Sequence, residues 1–194
     1  MQFALFLHDK PGMVGKRAEH LETHRAYLSA KNDKFYCAGP LLDDEGKSKG
    51  SLLVIDFKDR AEAEAWIAAE PFGKAGIYES VRIMAYENKW PRAGRPATVK
   101  GKLFVSYNLN KPDAGPLRQT VRPSHLEYLA SQEKSLYAAG PLLGDDGEAR
   151  LGSLYIVDAP DRKAAEAWVA AEPYVKNGAF GQQWLESYDN RFPK

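Results

Sequence analysis

Cysteine is almost absent from the 194-residue chain, in which Cys37 stands alone. An intrachain disulfide and a cysteine-based zinc cage are therefore excluded, and a lone thiol is typical of a reducing compartment. No apolar run approaches the roughly 20 residues of a membrane-spanning helix, and residues 1–10 lack the basic leader and cleavage site of a signal peptide. We expect a cytoplasmic protein without a membrane partner.

An excess of charge is also lacking, since 27 Lys and Arg face 26 Asp and Glu, for a net charge of +1. General nucleic-acid binders carry a clear basic excess, so we expect no nucleic-acid partner. The chain contains no glycine-rich phosphate loop, no Gly-x-Ser-x-Gly motif and no His-Glu-x-x-His motif. His20 and His24 have the spacing of metal ligands on a helix, but nothing selects a third ligand, so we predict no metal site.

What the chain does contain is an internal duplication. Equivalent residues lie 101 positions apart up to the Ala-Gly-Pro-Leu-Leu motif and 102 positions apart after it. The recurring blocks are Ala38–Leu42 with Ala139–Leu143, Gly50–Leu52 with Gly152–Leu154, Glu64–Trp66 with Glu166–Trp168, and Ala69–Phe72 with Ala171–Tyr174. We predict a first repeat over 1–90, a Pro- and Gly-rich linker over 91–100, and a second repeat over 101–194.

Each copy shows the order strand, helix, strand, strand, helix, strand, which predicts an α+β fold of two ferredoxin-like repeats. In this arrangement both helices cover one face of an antiparallel sheet, and the other face must be buried elsewhere. We therefore predict an intrachain pseudo-dimer resembling a dimeric α+β barrel, with further homo-oligomers possible through edge strands. A scattering curve of two separated lobes would reject the pseudo-dimer. Pro40 and Pro141 are expected to end strand pairing.

The first candidate site lies on the first helix of each repeat. Arg118, Arg122 and His125 are four and three residues apart, which places them on roughly one helix face. Two guanidinium groups beside an imidazole suit an anionic substrate and a general base. The first repeat keeps Arg17 and His24, but Leu21 stands where the second has Arg122. A solvated helix face with a partly buried histidine is the alternative interpretation.

Two further residue types complete the candidate set. Glu70 and Glu172 precede a proline where the second helix of each repeat stops, and a carboxylate there could orient the histidine. The alternative is an ordinary polar residue at a helix end. Ser51 and Ser153 could donate a hydrogen bond to a ligand, or could simply be strand residues next to a turn.

Together these motifs resemble the YciI-like (YCII-related) family of small ferredoxin-like proteins. The resemblance rests on an Arg-x6-His helix followed by Tyr-Leu, on Ala-Gly-Pro-Leu-Leu before an acidic glycine turn, on Gly-Ser-Leu, and on an acid-Pro-aromatic block. It covers both copies and omits only the linker and the last few residues. Members are typically single domains that pair into dimeric α+β barrels, so the resemblance implies that this chain is such a dimer fused.

The resemblance also implies a site. The family's proposed centre is a histidine with an acid, which here would be His24 with Glu70 and His125 with Glu172. The family usually has Asp before the proline, whereas this chain has Glu in both copies. Some relatives look like lyases of aromatic degradation, such as dehydrochlorinases of hydroxylated chloroaromatics. The wider group includes isomerases, monooxygenases and haem-binding proteins.

The leading hypothesis is a lyase or isomerase that needs no cofactor and acts on a small anionic or phenolic substrate. Two alternatives remain open: a non-catalytic small-molecule-binding or accessory module, and a haem-binding protein that uses a helix histidine. In the leading hypothesis the general bases are His125 and His24, the orienting acids are Glu172 and Glu70, and the substrate-binding residues are Arg118, Arg122, Arg17, Ser153 and Ser51.

Overall fold

The computed structural model of the protein describes residues 1–96 and 98–193, so Ala97 in the predicted linker and Lys194 at the end of the second repeat lie outside the described residues. The first repeat contains β1 (Gln2–Asp9), α1 (Val14–Glu19), α2 (Leu21–Ser29), β2 (Phe35–Leu42), β3 (Ser48–Asp56), α3 (Arg60–Ala69), α4 (Pro71–Lys74) and β4 (Tyr78–Tyr86). The second contains β5 (Lys102–Asn110), α5 (Ala114–Ser131), β6 (Leu136–Leu143), β7 (Arg150–Ala159), α6 (Arg162–Ala171), α7 (Pro173–Lys176) and β8 (Phe180–Tyr188).

Both repeats form a four-stranded antiparallel sheet with the same strand order. In the first repeat the order is β4-β1-β3-β2, and in the second it is β8-β5-β7-β6. Strands that are consecutive across a helix are therefore not neighbours, as the ferredoxin-like arrangement requires. This confirms the fold class predicted from the order of the elements.

The local sequence explains where these elements begin and end. The side chain of Asp59 accepts a hydrogen bond from Glu62 N at the start of α3, and Asp161 does the same for Ala164 N at the start of α6. The hairpin between β2 and β3 turns at Gly46, and that between β6 and β7 at Gly147. Both glycines have φ above 70°, a conformation that costs glycine little.

Two expectations from the sequence need correction. The single first helix expected in each repeat is interrupted at His20 in the first repeat, where it forms α1 and α2, whereas its counterpart α5 is continuous despite Pro123 inside it. Pro40 and Pro141 do not end strand pairing, because Pro40 pairs with Ser51 and β2 continues to Leu42. Proline lacks only the N–H donor, and the carbonyl oxygen of Pro40 still accepts a hydrogen bond from Asp189 N at 3.2 Å.

The core of each repeat lies between the sheet and the longer helices. Trp66 on α3 and Trp168 on α6 are 8% and 7% exposed, and each packs against a tyrosine of the preceding helix. Tyr27 donates a hydrogen bond to Trp66 O and Tyr128 donates one to Trp168 O, both at 2.8 Å. These contacts fix the position of α2 on α3 in the first repeat and of α5 on α6 in the second.

The chain divides into two compact units that do not coincide with the linear halves. One comprises residues 1–87, 144–147 and 188–193, and the other comprises residues 88–143 and 148–187. Each unit thus includes the segment that follows the last strand of the other repeat. The close fit of residues 188–193 explains Gly39, because a Cβ there would lie 1.9 Å from Asp189 O. Within the described residues, no helix is long and apolar enough to cross a membrane.

Candidate active site

Each repeat brings its histidine and its glutamate into direct contact. Nδ1 of His24 lies 2.5 Å from Oε1 of Glu70, and Nδ1 of His125 lies 2.5 Å from Oε1 of Glu172. Both carboxylates are buried, with 1% and 0% of the side chain exposed, while both imidazoles keep 12% exposed. In each repeat, the histidine and the acid that the resemblance pairs therefore lie within hydrogen-bonding distance of each other.

The Glu-Pro sequence explains how a glutamate reaches this position. Glu70 ends α3 and caps α4. Pro71 occupies the first turn of α4, where a backbone N–H would have no partner within the helix. The Glu70 carboxylate accepts hydrogen bonds from Phe72 N at 3.1 Å and from Gly73 N at 2.9 Å. Glutamate is an uncommon helix cap, but here its length lets one carboxylate both cap the helix and meet the imidazole.

An aromatic ring fixes the plane of each imidazole. The residue two positions after the glutamate is Phe72 in the first repeat, whose ring centroid lies 3.9 Å from that of His24. In the second repeat it is Tyr174, at 4.1 Å from His125. The acid-Pro-aromatic motif therefore supplies the hydrogen-bond acceptor and the stacking surface together.

The hydrogen bond to the carboxylate also determines which nitrogen can react. Because Nδ1 carries the proton that Glu172 accepts, the neutral ring of His125 has its lone pair on Nε2. His125 lines a cavity, so the reactive nitrogen belongs to a side chain that a ligand can reach. This is the arrangement in which an acid orients a general base and stabilises its protonated form.

The two glutamates differ in their surroundings. Glu70 accepts a further hydrogen bond from the hydroxyl of Tyr78 at 2.9 Å, but Phe180 stands at that position in the second repeat. Burial raises the pKa of Glu70, yet the hydrogen bond and charge of His24, with the two backbone N–H groups, hold it below its ordinary value. Glu172 accepts one backbone hydrogen bond, from Val175 N at 3.1 Å, beside its bond to His125.

A buried arginine accompanies each histidine. Arg17 is 8% exposed and Arg118 is 7% exposed. The guanidinium carbon lies 4.5 Å from the ring centroid of Phe72 in the first repeat and 4.1 Å from that of Tyr174 in the second. The aromatic ring that stacks on the histidine thus also supports the arginine, through a cation–π contact.

The charge of the arginine is neutralised in the first repeat but not in the second. Nη1 of Arg17 donates to both carboxylate oxygens of Asp9 at 2.7 Å. The equivalent partner of Arg118 is the neutral Asn110, whose Oδ1 lies 2.8 Å from Nη1. Burial lowers the pKa of Arg118 from its ordinary value, but an arginine stays protonated in proteins. The second repeat therefore holds a buried positive charge beside the imidazole.

Ser51 and Ser153 are hydrogen-bond partners of these arginines. Nη2 of Arg17 donates to Oγ of Ser51 at 2.8 Å, and Nη2 of Arg118 donates to Oγ of Ser153 at 3.1 Å. Both serines are buried in the middle of a strand and line the cavity of their own repeat. Because each hydroxyl accepts from an arginine, its own proton remains available to a neighbouring acceptor.

The cavity of the first repeat is predominantly apolar. It has a volume of about 210 Å³ and lies beside His24 and Arg17. Apolar side chains from the helix, the sheet and the last residues of the chain form much of its wall; they include Leu21, Leu28, Leu42, Leu53, Phe72 and Phe192. Arg191 also lines this cavity, but its guanidinium pairs with Asp189 at 2.8 Å.

The cavity of the second repeat is cationic. It has a volume of about 300 Å³ and is lined by His125 together with Arg118, Arg122 and Arg150. None of these three arginines forms an ion pair with an acid among residues 1–96 and 98–193. The first repeat has Leu21 and Ser48 at the positions of Arg122 and Arg150. The predicted grouping of Arg118, Arg122 and His125 at one cavity is thus present in the structure.

Two features of this cavity were not anticipated from the sequence. Tyr155 contributes its ring to the wall where the first repeat has Leu53, a difference that comparing the repeats could have revealed. Trp90, which precedes the predicted linker, is 3% exposed and lines the same cavity. Its backbone N–H and carbonyl bond to Ala139 at 3.0 and 2.8 Å. Nothing in local periodicity indicated that this segment would lie against β6.

No group of three or more His, Cys, Asp or Glu side chains suited to a metal ion occurs in the part of the chain that the structure describes. His24, one of the two histidines with metal-ligand spacing, directs its Nδ1 to Glu70. His20 lies at the interruption between α1 and α2.

Comparison with known proteins finds sequence relatives that match a single repeat and solved structures whose fold matches nearly the whole chain. An uncharacterised protein of Haemophilus influenzae is 31% identical over 96 residues, covering 45% of this chain and 97% of that protein. Protein YciI of Escherichia coli O6:H1 is 38% identical over 85 residues, covering 40% of this chain and 87% of that protein. A mutant chlorite dismutase from Candidatus Nitrospira defluvii covers 97% of this chain and 91% of its own, at 10% identity and a TM-score of 0.64.

The likeness to the dismutase concerns the fold, since so low an identity shows nothing more. The likeness to the two bacterial relatives is a likeness in sequence, and each of them corresponds in length to a single repeat. The YCII-related domain matches residues 1–87 and again residues 103–183. The chain therefore belongs to the YCII-related domain family, with two copies of the domain in tandem.

Proposed function

We propose that the second repeat is a proton-transfer enzyme of the lyase or isomerase type, acting on a small anionic or phenolic molecule. One observation carries the proposal: the imidazole of His125 is held by buried Glu172 and lines a cavity that also presents Arg118 and Arg122 without acidic partners. A general base oriented by an acid, beside a cationic anchor, is what such a reaction requires. The fold itself is compatible with many chemistries and adds only weak support.

In the proposed reaction, Arg118 and Arg122 hold an anionic group of the substrate. Nε2 of His125 takes a proton from a carbon next to a carbonyl group, or from a hydroxyl group. The electron pair of the broken bond moves onto the substrate oxygen, and Glu172 stabilises the imidazolium that forms. In a lyase the charge then expels an anion from a neighbouring carbon, whereas in an isomerase the imidazolium returns the proton to another carbon. Neither course needs a cofactor.

The test is a substrate panel with a matched pair of variants. The panel contains hydroxylated chloroaromatics, with chloride release as the readout, and carboxylates with an acidic C–H bond, with solvent deuterium exchange followed by NMR. His125→Asn keeps an amide N–H close to the position of Nδ1 but removes Nε2. We expect it to lower kcat by about 10²- to 10⁴-fold, the range of general-base catalysis, while His24→Asn leaves turnover in the second repeat intact. Full turnover by His125→Asn would overturn the proposal.

For the first repeat we infer binding without chemistry. Asp9 neutralises Arg17, and Leu21 and Leu53 make the cavity apolar, so this repeat suits a neutral aromatic ligand rather than an anion. A thermal-shift comparison of phenol with benzoate tests this in the His125→Asn background. Stabilisation by phenol that falls when Leu21→Trp narrows the first cavity, with stabilisation by benzoate unchanged by that substitution, supports the inference. Turnover that requires His24 contradicts it.

A further inference from the structure

A residue in the wall of the second-repeat cavity carries a buried hydroxyl group that lacks a hydrogen bond of normal geometry. The Tyr155 hydroxyl has no partner of normal geometry among the described residues. The residue is 1% exposed, and its ring forms part of the wall of the cavity that holds His125. Buried polar groups almost always have partners, so an exception at a cavity points to a partner that arrives with the ligand.

The surroundings of Tyr155 indicate what that partner is. Its ring centroid lies 6.4 Å from that of His125, and the charge of Arg118 lies near enough to act on its hydroxyl. Burial, followed by the negative charge of Glu172, raises the pKa of Tyr155 well above its ordinary value, while the adjacent hydroxyl of Ser153 and the positive charge of Arg118 lower it in part. Ser153 can donate to the phenol oxygen, which leaves the phenol proton itself without an acceptor. The phenol therefore stays protonated at neutral pH and offers a donor, not an acceptor, to the cavity.

We propose that Tyr155 donates a hydrogen bond to the substrate oxygen on which negative charge develops, and that the substrate is therefore an enolisable carbonyl compound or a phenol. This rests on the proposed function of His125. When Nε2 of His125 takes the proton, the electron pair of the broken bond becomes the lone pair of an enolate or phenolate oxygen. Tyr155 and Arg118 stabilise that oxygen, in the manner of an oxyanion hole.

The first repeat provides the natural comparison. Leu53 stands at the position of Tyr155, so the cavity beside His24 has no corresponding donor. The paired base and acid are present in both repeats, but the oxyanion donor and the unneutralised arginine occur only in the second. The difference assigns catalysis to the second repeat without requiring any defect in the first histidine–glutamate pair.

The experiment uses 4-nitrophenol as the probe, because its ionised form absorbs near 400 nm and reports phenolate binding directly. The 194-residue chain is titrated with the probe at several pH values, which gives the pKa of the bound phenol. We expect the wild-type protein to favour the phenolate. Tyr155→Phe should weaken phenolate binding by about 10- to 100-fold, the range for one hydrogen bond to a charged group, with little change for the neutral phenol.

The Tm of the same variant serves as the control for a folding defect. Tyr155→Phe removes a hydroxyl group that lacks a partner, so its Tm should equal or exceed that of the wild type. A lower Tm with unchanged preference for phenolate would mean that the hydroxyl is structural and would overturn the proposal. Equal phenolate affinity in the two proteins would also overturn it.

His125→Asn separates this inference from the proposed function. That variant should still prefer phenolate, because Tyr155 and Arg118 remain, but it should not turn over substrate. If His125→Asn turns over substrate while Tyr155→Phe loses the phenolate preference, the role of the histidine fails and the oxyanion donor stands. If His125→Asn is inactive while Tyr155→Phe keeps both properties, the donor fails and the base stands.

Discussion

Asn110→Asp tests how the two cavities differ in charge, because it replaces a single side-chain nitrogen by an oxygen. Asn110 occupies the position of Asp9, and both side chains bond to Nη1 of the neighbouring arginine, at 2.8 Å for Asn110 and 2.7 Å for Asp9. Asn110→Asp therefore introduces into the second repeat the contact that the first already has. The change is nearly isosteric, so the shape of the cavity should be kept while its charge falls by one.

The magnitude follows from Coulomb's law. An anion bound on the far side of the Arg118 guanidinium would lie roughly 6 Å from the introduced carboxylate, which at an effective dielectric constant of about 20 gives a repulsion of about 2 to 3 kcal/mol. This corresponds to a loss of about 30- to 150-fold in affinity for a monovalent anion. A neutral ligand of the same shape should lose almost nothing.

The assay is calorimetric titration with benzoate and with benzamide, its neutral counterpart. The loss for benzoate should shrink as salt is raised, to the extent that the cavity admits mobile ions. Asp9→Asn is the reciprocal control, because it leaves Arg17 with the same kind of partner that Arg118 has. It should raise benzoate affinity in the first repeat and leave the second unchanged.

Equal losses for benzoate and benzamide in Asn110→Asp would refute an electrostatic role for the Arg118 charge. Such a result would mean that the substitution acts through the shape of the site. Unchanged benzoate affinity would also refute it, since the buried charge of Arg118 would then have no part in binding. The substitution also removes the hydrogen bond that Nδ2 of Asn110 donates to Arg150 O at 2.7 Å, so the benzamide titration also reports any displacement of Arg150.

Two further predictions concern stability. Glu70→Gln should lower the free energy of unfolding by about 1 to 3 kcal/mol at neutral pH. Folding lowers the pKa of Glu70, so the stability difference between wild type and variant should be present above the ordinary carboxyl pKa. It should vanish as the pH falls through the pKa of Glu70 in the folded protein. Urea unfolding from pH 3 to 8 measures it, and a constant gap would contradict it. Trp90→Ala should cost about 3 to 5 kcal/mol, since this side chain packs into the core beside Leu129 and Trp168; an unchanged midpoint in thermal unfolding would show that the segment only rests on the surface.

Much of the fold could be predicted because its determinants are local. The strand and helix order follows from short-range hydrophobic patterns, and the duplication shows which patterns matter because each occurs twice. The strand pairing of Pro40 could not be predicted in this way, since the N–H that donates to its carbonyl oxygen belongs to Asp189, far along the chain. The packing of Trp90 was missed for the same reason, because a short segment next to a linker carries no periodicity.

In the candidate site too, the local contacts could be predicted from the sequence and the contacts distant along the chain could not. Arg118, Arg122 and His125 share one helix face, so their spacing predicts that they meet at one cavity. The hydrogen-bond partner of the arginine comes instead from the end of β1 or β5, and the tyrosine comes from β7. Which strands adjoin a helix face is a property of the sheet order, so these partners become visible only once the three-dimensional arrangement is known.

Several differences between the repeats fall on residues that line the cavity or contact its arginine, and we assign these to ligand choice. The histidine–glutamate distance is the same in both copies, as is the tyrosine–tryptophan hydrogen bond that holds the helix. A repeat that had merely lost function would be free to lose the costly burial of its glutamate, yet Glu70 has more hydrogen-bond donors than Glu172. The first cavity is therefore better explained as one adapted to a neutral ligand than as a decayed copy of the second. The exchanged positions are Asp9 for Asn110, Leu21 for Arg122, Ser48 for Arg150, and Leu53 for Tyr155.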